Sequence, residues 1–281
     1  EVWQSTVGRP EVLLDGLSCP GGRECITLLT AILGQALGRP MQVRAISCGL
    51  TDGRPGCRLK ATPAAGFRFL AAGYSRAKKE GEVSGDSFRA LELPDGRQAL
   101  ILSDGMGSGT QAAQESQATV RLLEKLLAAG LEEDLILRTL NSVLALRWPE
   151  ERFATLDLAL LDPYQGEVEF IKVGSCPSLV KRGRTVSVIN PGAPPLGILP
   201  QVAPAVSKKR LRAGDVILMV SDGVLEARGQ RAAGIDWLVE YLARAGDEPE
   251  ELATAVLDLA GRRAGGVPDD MTALAVRVEQ A

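Results

Sequence analysis

Helix-like and strand-like runs are segregated along this chain instead of alternating, and that order constrains its fold more than any single motif. Strand signals first cluster at "MQVRAISC" and "CRLKA", a hairpin around the turn-rich "GLTDGRPG", and then at "GFRFLAAGYSRAK" over 66–78. A polar, glycine-bearing loop, "AKKEGEVSGDSF", leads into "RALELPDGRQALILS", a second hairpin turning at Pro94–Gly96. Two helices follow. Residues 110–129 carry Val120, Leu123 and Leu127 at three-to-four spacing and stop at Gly130, and "EEDLILRTLNSVLALR" opens with acidic residues near its amino end. Strand runs then return as "TLDLALLD", "GEVEFIKVG", "PSLVKRG", "TVSVIN" and "DVILMVS". The helices "DWLVEYLARA" and "PEELATAVLDLAGRRA" precede a last strand, "MTALAVRVE". Strand groups separated by helix groups predict an α+β layered sandwich with largely antiparallel sheets, not a doubly wound sheet.

Outside those runs the chain reads as irregular. Gly8, Pro10, Gly16, Pro20 and Gly21 break up residues 1–20, and a helix over 23–37 is closed by Gly38 and Pro40. "PGAPPLGILP" at 191–200 reads as a loop, and "KKR" at 208–210 as a solvated loop face.

An absence narrows the chemistry. The 281 residues include no histidine. Ser–His–Asp and Cys–His catalysis in their usual forms are therefore excluded, as is any imidazole-bound metal. A catalytic metal would have to rest on carboxylates, carbonyls and water, which favour magnesium or manganese, or on thiolates. The five cysteines, at 19, 25, 48, 57 and 176, form no Cys-x-x-Cys pair and fit no familiar zinc module. They read as small buried hydrophobes in a reducing compartment. The net charge of −3 provides no field for nucleic acid or an acidic membrane. No apolar run approaches the roughly 20 residues that cross a bilayer. The chain opens on Glu1 without a signal-peptide pattern and reads as a fragment of a longer protein.

"ALILSDGMGSGT" at 99–110 holds the densest glycine pattern. A dinucleotide fingerprint needs G-x-G-x-x-G where this stretch has G-x-G-x-G, although Glu124 lies at the later distance of a ribose contact. A nucleotide P-loop would end in Gly-Lys-Ser/Thr, which is missing. Taken alone, the stretch also suits a plain turn whose glycines accept positive φ. Recurrence favours a metal site. "LILSDGM" at 100–106 is echoed by "ILMVSDGV" at 217–224, an apolar strand ending in Ser-Asp-Gly both times. "VSGDSF" places Asp86 at a glycine-bearing loop edge, and "PDDMT" places Asp269 and Asp270 before the last strand. Four such aspartates can converge on one pole of a sandwich, where they would repel one another unless divalent cations sat between them.

In that order "VSGDSF", "SDGMGSG", "SDGV" and "DDMT" resemble the metal-dependent PPM (type 2C) protein phosphatases. "QAAQESQATVRLLEKLLAAG", "TLNSVLALR", "ATLDLALLD" and "KVGSCPSLVKRG" are similar to the phosphatase domain of the bacterial stage II sporulation protein E family. The resemblance spans about residues 66–281 and implies a four-layer α-β-β-α sandwich with the metal site at one end. Residues 1–65 would then end an upstream regulatory region. It implies two Mn²⁺ or Mg²⁺ ions, bridged by Asp104, with the Gly105 carbonyl on one of them. Asp222 and Asp269 would hold the second ion, and Asp86 would act largely through water. A water activated by the metals would attack a phosphoserine or phosphothreonine in line. Many eukaryotic members have Asp-Gly-His where this chain has Met106, so a water replaces histidine as the expected proton donor.

The resemblance further implies a phosphorylated anti-anti-sigma protein as substrate and activation of a sporulation sigma factor. It implies a homodimer through the helices near 110–146, and a cell-division partner for the upstream region. It places the fragment on the cytoplasmic side of a membrane-anchored parent at the sporulation septum. Two other functions stay open on the residues alone: a scaffold or dimerisation module that is inactive or conditionally active, and a dinucleotide-binding enzyme.

Overall fold

The structure, a computed structural model, describes residues 2–4, 10–17, 24–52, 56–147, 153–190, 195–196, 204–226 and 234–281. The chain divides into two units, residues 1–66 and residues 67–281.

The first unit contains β1 (Val2–Gln4), β2 (Pro10–Leu17), α1 (Glu24–Leu37), β3 (Met41–Ser47), the short α2 (Gly49–Asp52) and β4 (Cys57–Pro63). Its antiparallel strands lie in the order β1-β2-β4-β3. Val12, Met41, Val43, Leu59 and Ala61 form a buried core on which Ile26, Leu29 and Leu33 of α1 rest. This corrects the irregular reading of residues 1–20. Pro10 is the first residue of β2, a position that needs no ladder donor. Gly16, at φ 79°, lies where the β2–β4 register shifts between Asp15 and Leu17. The residues that look like breakers therefore mark the start and the bulge of a strand. Cys19 falls outside the described residues.

The second unit runs through β5 (Phe67–Arg76), β6 (Asp86–Glu92), β7 (Gln98–Asp104), α3 (Thr110–Ala128), α4 (Glu133–Arg147), β8 (Leu156–Asp162) and β9 (Glu167–Val173). It continues with β10 (Ser178–Arg182), β11 (Thr185–Ile189), β12 (Ala205–Arg210), β13 (Val216–Val220), α5 (Asp222–Leu225), α6 (Asp236–Leu242), α7 (Pro249–Ala264) and β14 (Met271–Gln280). The described strands form two five-stranded sheets, β12-β9-β8-β7-β6 and β11-β10-β13-β14-β5, in which every named pairing is antiparallel.

Period-two alternation along the strands sorts side chains between layers. On β7, Ile101 packs with Val120 and Leu123 of α3 and Leu140 of α4, while Leu100 and Leu102 face the other way. There they meet Phe170, Ile217, Met219 and Leu274 between the two sheets. The alternate residues Leu218 and Val220 of β13 pack with Leu238 of α6 and Leu252 and Val256 of α7. Three cores of this kind produce the α-β-β-α sandwich of two antiparallel sheets that the segregated runs lead one to expect.

"KKR" is not a loop. It ends β12, an edge strand, with Lys208 opposite Glu169 and Arg210 opposite Glu167 on β9. Cross-strand charge pairs hold it there, at 3.2 Å and 3.3 Å, and the lysines and arginine discourage edge-to-edge association. The expected loop at 191–200 lies outside the described residues except for Pro195 and Leu196, and Leu196 is buried in a bridge to Ala154.

Candidate metal centre

The aspartates singled out in the sequence lie at ends of elements in the second unit. Asp86 begins β6, Asp104 ends β7, and the two are direct partners across the ladder. Asp222 opens α5 immediately after β13, and Asp269 and Asp270 precede β14. Asp104 lies beside Asp86 and Asp222, whose carboxylates act on it directly, and it also feels the charge of Asp269. The fold therefore brings Asp86, Asp104, Asp222 and Asp269 to one place.

Local backbone contacts hold the cluster together. The Asp104 N–H donates to Thr155 Oγ1 at 3.0 Å, and the Thr155 N–H returns a bond to the Asp104 carbonyl at 2.9 Å. Ser103 Oγ donates to the Thr155 carbonyl at 2.8 Å. Gly105 could not be any other residue, because a Cβ there would lie 2.1 Å from the Ala112 carbonyl oxygen of α3. Gly223 has the same role after Asp222, where a Cβ would lie 2.2 Å from the Asp270 carbonyl oxygen. The glycine after each of the two aspartates is thus the point where a neighbouring backbone closes on the site. Glu115, buried on α3, accepts the Met106 N–H at 3.2 Å, so the same helix holds the loop that follows Asp104.

Electrostatics describe a site short of positive charge. Burial, then the charges of Asp86 and Asp222, pushes Asp104 up to about 10. Burial raises Asp86 to about 7, with Asp222 and Asp270 adding to it and hydrogen bonds from Ser221 and Thr272 opposing it. Burial, Asp269 and Glu226 raise Asp222. Burial and the nearby Asp222 and Asp104 also push the Cys176 thiol up. Asp86 Oδ1 is buried and accepts no hydrogen bond. Behind Asp104 and Asp222 lies a 30 Å³ cavity that Thr155, Ser175 and Cys176 also line.

These residues fit hard divalent cations. Every donor is a carboxylate or carbonyl oxygen, one buried carboxylate oxygen lacks a partner, and the mutual repulsion is what a dication relieves. Among the described residues no group of three or more His, Cys, Asp or Glu side chains is gathered closely enough to hold one ion by itself. Magnesium and manganese suit that arrangement, since they keep several waters and take one or two carboxylates each.

Asp269 and Asp270 separate cleanly. Asp270 is buried, and its two oxygens accept the backbone N–H groups of Lys78 and Gly85, each at 2.7 Å. It ties the two ends of the β5–β6 loop together. The more exposed Asp269 caps the Asp270 N–H at 2.9 Å and has Lys78 Nζ 3.5 Å away. Sequence reasoning missed Lys78 because the residue that points to it, Asp269, is 191 positions further along the chain. It missed Thr155 and Thr272 for the same reason.

A family model of stage II sporulation protein E matches residues 94–279. Over 215 residues the chain is 36% identical to stage II sporulation protein E of Bacillus subtilis (strain 168), covering 76% of this chain and 26% of that protein. It is 32% identical over 286 residues to the Priestia megaterium protein of the same name, covering 99% and 48%. The chain thus spans about a quarter to a half of the length of these curated relatives. The solved structure of the PP2C phosphatase domain and a fragment of the regulatory domain of SpoIIE from Bacillus subtilis matches 100% of this chain and 82% of that one. Its TM-score is 0.84 and its sequence identity 31%.

Proposed function

The chain belongs to the stage II sporulation protein E family, and on that premise we propose that residues 67–281, which have the type 2C phosphatase fold, are a metal-dependent protein serine/threonine phosphatase. The observation that carries this reading is the carboxylate cluster centred on Asp104, with its raised carboxyl groups and the orphaned Asp86 Oδ1. Asp104 and the Gly105 carbonyl would hold one of two Mn²⁺ or Mg²⁺ ions, and Asp222 and Asp269 the other, with Asp86 acting mainly through water. Bound there, the ions would lower the pKa of a water and neutralise charge on the phosphoryl oxygens.

The remaining work falls to the chain's own groups. The Gly105 and Gly223 backbones keep Asp104 and Asp222 close to α3 and β14, so the carboxylates are held before substrate arrives. Lys78, anchored through its backbone on Asp270, extends a half-exposed ammonium beside Asp269, where a phosphate dianion would meet it. Met106, 50% exposed on the ligand loop, has no proton to donate, so a leaving serine alkoxide must take its proton from water.

The substrate we infer is a phosphoserine protein, specifically a phosphorylated anti-anti-sigma factor whose dephosphorylation activates a sporulation sigma factor. Its support is family membership. A homodimer through α3 and α4 is favoured by the exposed Leu135, Val143 and Leu146 on α4, and by the direct hold of α3 on the loop after Asp104. Residues 1–66 would end an upstream regulatory region that contacts a cell-division protein, in a parent anchored at the septal membrane. Among the described residues no helix is long and apolar enough to cross a membrane.

The test is release of phosphate from a phosphoserine protein with Mn²⁺ or with EDTA, with Asp104→Asn as control. Hydrolysis that needs Mn²⁺ and falls at least a hundredfold in the variant is expected, about the loss seen when one transition-state contact is removed. Metal-independent release, or an unimpaired variant, would leave a scaffold as the function of this fold.

A further inference from the structure

Asp86 is the member of the cluster with the most elaborate support, and that support runs through hydroxyl groups. Thr272 Oγ1, fully buried on β14, donates to Asp86 Oδ2 at 2.7 Å. The same oxygen is 3.0 Å from Ser75 Oγ on β5, and Ser75 Oγ is 2.9 Å from Ser84 Oγ in the β5–β6 loop. Ser84 Oγ accepts the Asp86 N–H at 3.2 Å, which closes the circuit.

Each hydroxyl has one proton, and an ionised carboxylate can only accept. Thr272 must therefore spend its proton on Asp86, accept from Ser75, and leave Ser75 to accept from Ser84. The whole chain of bonds points in one direction, toward Asp86 Oδ2. The Thr272 backbone is held in place, because its N–H donates to Ser221 Oγ at 2.8 Å and its strand is paired with β5. The Ser221 hydroxyl, at the end of β13, lies beside the same Asp86 side chain. With Oδ2 occupied, the unpartnered Oδ1 is the atom of Asp86 that remains available.

We propose that Thr272 is a positioning residue of the site: with Ser75 and Ser84 behind it, its hydroxyl fixes the rotation of the Asp86 carboxylate, so that Oδ1 alone is presented to a divalent cation or the water it carries. This rests on the metal-site reading given above. Outer partners of this kind tune metal affinity by orienting a ligand they touch.

The test measures Mn²⁺ binding to the full chain by the electron paramagnetic resonance signal of free Mn²⁺, without substrate. Thr272→Val keeps the shape and removes the hydroxyl. It is expected to weaken binding by about tenfold or more. Thr272→Ser, which restores the hydroxyl, is expected to stay within about twofold of wild type. Wild-type affinity in a folded Thr272→Val chain would overturn the inference, and so would equal weakening in Thr272→Ser, which would assign the effect to packing of the methyl group. If Thr272→Val does not fold, Ser75→Ala removes the next link from an exposed position. A weakening of about two- to tenfold is then expected, and unchanged affinity would overturn the inference. A wild-type chain that binds no Mn²⁺ would instead overturn the metal reading and take this inference with it.

Discussion

Asp86 and Asp104 face each other as paired residues at the open end of the β6–β7 ladder, the first residue of one strand opposite the last of the other. Antiparallel pairing places two carboxylates on neighbouring backbones, where like charges destabilise a sheet unless something positive joins them. The pair is a cost to the fold that only a function explains.

That cost has a sign with pH. Asp86 is raised to about 7 and Asp104 to about 10, whereas both titrate near the ordinary carboxylate value once unfolded. Above that ordinary value the unfolded chain releases protons that the fold retains, so stability is lost as pH rises. In EDTA the melting temperature should fall between about pH 6 and pH 8, and Asp104→Asn should flatten the slope. Saturating Mn²⁺ should reverse it, because the ions bind the ionised form. Calorimetry across that range decides, and a melting temperature in EDTA that holds or rises contradicts the assignment.

Two glycines of one loop should respond differently to alanine. Gly105→Ala forces a Cβ against the Ala112 carbonyl and should cost about 1–3 kcal/mol while displacing Asp104 from α3. Gly107→Ala meets open space and pays only for its φ of 89°, about 1–2 kcal/mol. Denaturant melts with Mn²⁺ binding separate them: binding should be lost in the first variant and largely kept in the second.

Neighbouring aspartates should also divide by phenotype. Asp269→Asn should weaken Mn²⁺ binding and leave the melting temperature nearly unchanged. Asp270→Ala strips the acceptors from two backbone amides, one of them buried, and should destabilise by about 1–3 kcal/mol, with faster hydrogen exchange at Lys78 and Gly85. The opposite pattern would exchange their roles.

Lys78→Met should raise KM for a phosphoprotein by about tenfold or more while kcat changes little, the value of one charge-assisted contact. Lys78→Arg should retain most of it. Steady-state kinetics showing an unchanged KM for Lys78→Met would remove Lys78 from substrate binding.

Away from the site, Lys172 and Asp157 form a fully buried ion pair at 2.5 Å, with Ser178 Oγ donating to the same Asp157 oxygen at 2.7 Å. Lys172→Met strands a buried carboxylate and should cost about 3–5 kcal/mol. Adding Asp157→Leu should recover a large part of that loss, because no uncompensated charge remains. Urea denaturation of the single and double variants checks both.

Most of the fold was readable because it rests on local periodicity. Alternation in β7, the three-to-four stripe of α3 and the turn at Pro94–Gly96 are short-range signals, and the segregation of runs pointed to layered antiparallel sheets. The errors came where a partner strand overrides local propensity. Pro10 and Gly16 look like breakers until β4 lies beside them, and "KKR" looks like a loop until Glu167 and Glu169 face it across β9. The aspartates were legible as a set because glycine beside Asp recurs at the ends of apolar runs.

By itself, the sequence determined which atoms could do chemistry here. Without histidine, the oxygens of Asp86, Asp104, Asp222 and Asp269 are what it offers a hard cation, and covalent order alone decides that inventory. Only the tertiary structure decided what each oxygen does. Asp270 lost both of its own to the amides of Lys78 and Gly85, and Asp86 lost one to Thr272, 186 positions away. Hydrogen bonds across such separations depend on where the sheets place their ends, and no window of neighbouring residues contains that information.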